Sequence, residues 1–113
     1  MSGISTHILD ISRGKPAARV PVTLEWSDGD DWRQIARQAT DDGGRIKHLL
    51  PSNVAMVGGI YRLTFHTKEY FDRCGERVLY PVVQVTITVT DTVDHYHIPL
   101  LLTANGYSTY RGS

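Results

Sequence analysis

The sequence predicts an all-β sandwich with one short helix, and three observations carry that prediction. Apolar and polar residues alternate at period two through most segments. Turn-forming stretches such as "SDGDD" and "DDGGR" recur at short intervals between the alternating runs. Helical spacing is confined to one place, around "KEYFDRCGE".

In chain order, "STHILDI" reads as the first strand. Thr6 and Ile8 share one face, with Ser5, His7 and Leu9 on the other. "RVPVTLEW" follows, with Val20, Val22, Leu24 and Trp26 on one face. "WRQIARQAT" is a weaker strand entered through "SDGDD", and "RIKHLL" a short one after "DDGGR". "GIYRLTFHT" aligns Tyr61, Leu63 and Phe65, and the short helix follows it. "VVQVTITVT" sets Val83, Val85, Ile87 and Val89 against Gln84, Thr86 and Thr88. "HYHIPLLLT" and "YSTY" complete the set. No repeat, low-complexity stretch or linker interrupts residues 1–113, so one domain is expected.

Composition narrows the function. The chain has 113 residues, enough to bury roughly 60–70% of its unfolded surface without disulfides or a structural metal. Its single cysteine, Cys74, has no partner within the chain and fits a reducing compartment. Twelve basic and twelve acidic residues cancel to a formal charge of +0, which argues against nucleic acid or an anionic membrane as partner. The start, "MSGISTHILD", shows no secretory pattern, and the apolar run Ile98 to Leu102 is too short to span a bilayer. A cytoplasmic protein is the expectation.

The segment "DHYHIPLLLT" carries most of the functional signal. Tyr96, Ile98, Leu100 and Leu102 must form the core face. The opposite face then carries His95, His97, Pro99, Leu101 and Thr103. Imidazoles among Pro and Leu suggest a second buried surface, against another subunit. Pro99 cannot donate to a ladder and marks an edge or a bulge. If Tyr107 fills the core, Ser108 and Tyr110 face outward. His7, His97 and Tyr110 are then outward polar groups set among small or apolar residues.

Several chemistries compete for these groups. A nucleophilic serine lacks a Gly-x-Ser-x-Gly elbow, and Cys74 has no activating motif. His95 and His97 share a strand face, and His7 could add a third imidazole, as in a three-histidine zinc site. His48 and His66 have no spacing partner, and no glycine-rich phosphate loop is present.

The stretches "STHILDISRGKPAARVPVTLE", "GGRIKHLL", "YRLTFHTKEYF" and "YHIPLLLTANGYSTYRGS" resemble the 5-hydroxyisourate hydrolases, the enzyme branch of the transthyretin-like family. The closing "YRGS" is the most specific of these motifs; "LTANGYS" departs from the more usual proline- and aromatic-containing turn. The resemblance implies a sandwich of two four-stranded antiparallel sheets with a helix after the fifth strand. It implies a homotetramer, a dimer of dimers, with active sites in a central channel. It implies that His7, Arg45, His97 and Ser113 are catalytic, and that Tyr110, Arg111 and Gly112 bind substrate with His7, Arg45 and His97. The implied reaction is cofactor-free and metal-free. It hydrolyses 5-hydroxyisourate to 2-oxo-4-hydroxy-4-carboxy-5-ureidoimidazoline in urate degradation. The alternatives are a small-aromatic-ligand carrier using the same channel and a purely structural sandwich.

Overall fold

The computed structural model describes residues 2–113. Its elements are β1 (Gly3–Asp10), β2 (Lys15–Pro16), β3 (Pro21–Ser27), β4 (Trp32–Ala39), β5 (Arg45–Ile46), β6 (Gly59–Phe65), α1 (Thr67–Arg73), β7 (Val83–Val89), β8 (His95–Thr103) and β9 (Gly106–Thr109). One sheet runs β2-β1-β8-β9, with β5 also paired to β1; the other runs β4-β3-β6-β7. The sheets face each other across a core that includes Ile4, Ile8, Val22, Leu24, Tyr61, Leu63, Phe65, Leu100 and Leu102. Alternation therefore assigns the core faces of β1, β3, β6 and β8 as expected.

The sandwich is amended in two respects. Counting the two-residue β5, the first sheet has five strands. Its central pair, β1 and β8, runs parallel, with Ser5 opposite His97 and His7 opposite Pro99. A parallel pair needs a long crossover. Here everything between Asp10 and His95, including the whole second sheet, supplies it.

Local chemistry explains the remaining departures. "RIKHLL" forms a strand only at Arg45–Ile46, after which the chain turns and Leu49 N–H donates to Ile4 O at 2.9 Å. The helix stops at Arg73 because Gly75 takes φ +71°, a left-handed conformation that closes helices. Tyr107 does not fill the core. It lies on edge strand β9, 43% exposed, its ring 5.4 Å from that of Tyr80. Pro99 sits in an interior strand, between β1 and β9. It has no N–H, and β9 ends at Thr109; pairing resumes as a bridge between His97 and Gly112. Among the described residues, no helix is long and apolar enough to cross a membrane.

Candidate active site

The outward side of β1, β5 and β8 forms an open groove. Strand β5 places Arg45 directly opposite His7, and the parallel pairing of β1 with β8 brings Ser5 beside His97. A cavity of about 240 Å³ opens here, lined by Ser5, Arg45, Lys47, His95 and His97, among others.

The turn before β5 is built to hold Arg45. The carboxylate of Asp41 accepts from the backbone N–H groups of Gly43 and Arg45, both at 2.9 Å. Those two bonds, the Arg45 one foremost, and the charges of Arg45 and Lys47 hold the Asp41 carboxyl below its usual range against a smaller opposing effect of burial. Gly44 has φ +76°, and a Cβ there would lie 2.4 Å from Ile8 O, so only glycine lets β5 approach β1. The carbonyl of Gly43 accepts from His7 Nε2–H at 2.9 Å. The acceptor is a carbonyl, so His7 carries a proton on Nε2 and Nδ1 is its remaining nitrogen.

His97 is half-buried and held from two sides. Its Nδ1 lies 2.7 Å from Ser5 Oγ. Its backbone O accepts from Gly112 N–H at 2.8 Å. A Cβ at Gly112 would sit 2.6 Å from His97 Cδ2, so the residue must be glycine for the chain end to lie against the imidazole. Burial, followed by the neighbouring His7, His95 and Arg45, pushes the His97 pKa below the ordinary histidine value. The neutral ring is therefore favoured at neutral pH, as a general base requires.

The predicted residues divide into two groups. His7, Arg45, His97 and Gly112 come together within this one chain. Arg111 points to the other side of the sheet. Its guanidinium stacks 4.3 Å from the centre of the Tyr96 ring, 3.5 Å from Asp94, and donates to His95 O at 3.4 Å. Arg111 and Tyr110 line a separate cleft of about 330 Å³ between the sheet edges, with Val85 and Ile87 opposite. Tyr110 is 57% exposed, and Ser113 is exposed as well. His66 lies on the far sheet, sharing Thr23 Oγ1 and Arg37. His48 offers its backbone O to Gln38, and Cys74 is half-buried just past the helix.

Two groups escaped the sequence reading as site residues. Ser5 shares the outward face of His7 by parity, which was its available signal, yet hydroxyls on strands are common. Asp41 is visible only as part of a turn signal. In place of a three-histidine metal cluster, His95 Nε2 is bonded to Ser5 Oγ at 2.7 Å. Among the described residues, no three His, Cys, Asp or Glu side chains form a cluster suited to a metal ion.

Chemically, the groove pairs a neutral imidazole with a permanently charged planar donor. The first can take a proton from water, and the second can stabilise an oxyanion as it forms.

Comparison with known proteins gives a consistent picture. The HIUase/Transthyretin family pattern matches residues 4–112. The 5-hydroxyisourate hydrolase of Salmonella dublin is 44% identical over 110 residues, covering 97% of this chain and 80% of that protein. The structure of Klebsiella pneumoniae 5-hydroxyisourate hydrolase superposes with a TM-score of 0.87 at 39% identity, covering 100% of both chains. Transthyretin from Sparus aurata superposes with a TM-score of 0.91 at 30% identity, covering 99% of this chain and 97% of that one.

Proposed function

The chain belongs to the HIUase/Transthyretin family, and from that premise we propose that it hydrolyses 5-hydroxyisourate in urate degradation. The observation that carries the choice of activity is the groove itself, where Arg45 stands opposite His7 and beside His97. In the reaction, water attacks a ring carbonyl of the substrate. Histidine takes up the proton that water loses, and Arg45 stabilises the developing oxyanion. His97 is the base, since its Nε2 has no protein partner among the described residues and its charged form is disfavoured. His7, its Nε2–H fixed by Gly43 O, keeps Nδ1 as an acceptor that orients the substrate or the attacking water. Opening the ring amide gives the carboxylated ureidoimidazoline.

Backbone similarity does not separate this reading from a carrier, because the transthyretin structure superposes at least as well as the hydrolase structure. Side chains support the enzyme. Two half-buried histidines beside an arginine offer a base and a fixed positive charge, which an aromatic ligand has no need of. The reading includes one domain over residues 1–113, a cytoplasmic setting and a dimer of dimers. In such an assembly Tyr110, Arg111 and Ser113 would contribute to substrate binding or catalysis.

The deciding experiment generates 5-hydroxyisourate from urate with an oxidase and follows its optical decay. Faster decay with this protein supports the reading, and an unchanged decay rejects it.

A further inference from the structure

The hydrolysis leaves one contact unused. Ser5 Oγ lies 2.7 Å from His97 Nδ1 and 2.7 Å from His95 Nε2. A hydroxyl has a single proton to donate, so it donates to one neutral ring and accepts from the other. The two orders are not equivalent. If Ser5 donates to His97, the neutral ring carries its proton on Nε2 and cannot take one from water. If His97 Nδ1–H donates to Ser5, Nε2 keeps its lone pair and Ser5 donates onward to His95. Only the second order leaves a base toward the groove.

We propose that Ser5 and His95 form a proton relay for His97, which keeps that ring neutral through the reaction; the proposal rests on the hydrolase reading above. As the water oxygen bonds to the carbonyl carbon, its proton moves to His97 Nε2. The Nδ1 proton passes to Ser5 Oγ, the Ser5 hydroxyl proton passes to His95 Nε2, and the His95 Nδ1 proton leaves to solvent. One proton has entered and one has left. The relay then runs backward. His97 Nε2–H protonates the departing ring nitrogen while solvent returns a proton through His95 and Ser5 to Nδ1.

Placement suits each member. Ser5 is 8% exposed, so bulk water competes little for its hydroxyl. His95 is exposed at the start of β8 and can exchange protons with solvent. His97 is half-buried and faces His7 from β1, Arg45 and Lys47 from β5 and its flank, and His95 on its own strand. A positive charge resting on His97 is costly among those groups. The relay moves that charge to the ring best placed to be solvated.

The test compares wild type, Ser5→Ala, His95→Gln and the double variant in the 5-hydroxyisourate decay assay. Each single variant should lower kcat on the order of 10²-fold, the lower reach of acid–base assistance, with KM unchanged. The double variant should be no worse than either single one, because both break one chain. Rates in mixtures of light and heavy water should bow for wild type and become linear in the variants. Glutamine at 95 can hold the serine hydrogen bond but cannot take up a proton. A full rate in His95→Gln would therefore overturn the relay and leave Ser5 as a positioning group. A full rate in Ser5→Ala would overturn both roles while the hydrolase reading stands. An inactive wild type would reject the hydrolase reading and the relay with it.

Discussion

Gly112→Ala is the most incisive single change that the structure offers. The added Cβ would lie 2.6 Å from His97 Cδ2, 3.3 Å from His97 Cγ and 3.4 Å from Pro99 Cγ. Carbon atoms pack at about 3.5–4.0 Å, so something must shift by about 1 Å. Two groups can yield. If the imidazole rotates, it leaves Ser5 Oγ, now 2.7 Å away. If the chain end lifts, it gives up the Gly112 N–H bond to His97 O, at 2.8 Å. Losing one such bond near a chain end costs about 0.5–1.5 kcal/mol, below the ~1–3 kcal/mol of overpacking a closed core. Stability should therefore fall by no more than about 1.5 kcal/mol. Catalysis should suffer more, because a 1 Å misplacement of a reacting group costs on the order of 10²-fold. Gly106→Ala is the matched control, since a Cβ there meets only Thr103 Oγ1, at 3.8 Å. The assay is decay of 5-hydroxyisourate together with thermal unfolding of both variants. A Gly112→Ala protein with the full rate would refute the argument that the chain end sets the imidazole.

Three further outcomes follow. His7→Asn and His97→Asn should both fold, since both rings lie outside the sandwich core, and each should lose about 10²–10⁴-fold in turnover; near-normal rates in both would reject their roles. The acid limb of kcat/KM should lie below the ordinary histidine value of about 6.5, because burial and the surrounding groups hold His97 neutral to lower pH. Removing the Arg45 charge with Arg45→Gln makes protonation easier and should move that limb slightly upward, since burial, His7 and His95 come before Arg45 among the causes; a limb that moves downward would count against His97 as the base. Light scattering should give a mass near four chains, and a fully active monomer would contradict a site that is completed by assembly.

The fold was legible wherever one face of a strand is buried. Leu24 and Leu63 are buried between the polar neighbours Thr23 and Glu25, and Arg62 and Thr64, because period two decides which side chains leave water. What alternation cannot encode is register. That Ser5 lies opposite His97 depends on a parallel pairing between strands at opposite ends of the chain. No local pattern marks that pairing, so the hydrogen bonds to His95 and His97 stayed hidden. Edge positions misled for a related reason. Tyr107 pairs with Leu102, which is buried, but β9 has no neighbour on its outer side and the ring is left in solvent. Of the candidate site, the grouping of His7, Arg45 and His97 was anticipated through motif resemblance, with parity supporting the two histidines. The place of Arg111 was not, because its partners Tyr96 and Asp94 lie on the inner side and edge of the sheet.

The groove of a single chain also explains why assembly belongs to the functional reading. Arg45 is exposed in the single chain. An arginine acting on an oxyanion 4 Å away gains about 1 kcal/mol in bulk water, and about 4 kcal/mol where the effective dielectric constant is near 20. The same guanidinium thus becomes several times more effective once water is excluded. Leu101 lies beside this groove, half-buried on the outward face of β8, while Pro99 is already covered within the chain and touches the position of Gly112. A second copy laid over that face would bury the remaining apolar surface and lower the dielectric around Arg45 in one step. The apolar character of the face and the polar character of the groove then have a common cause. In such an assembly the first would drive the contact, and the second would gain catalytic strength from it.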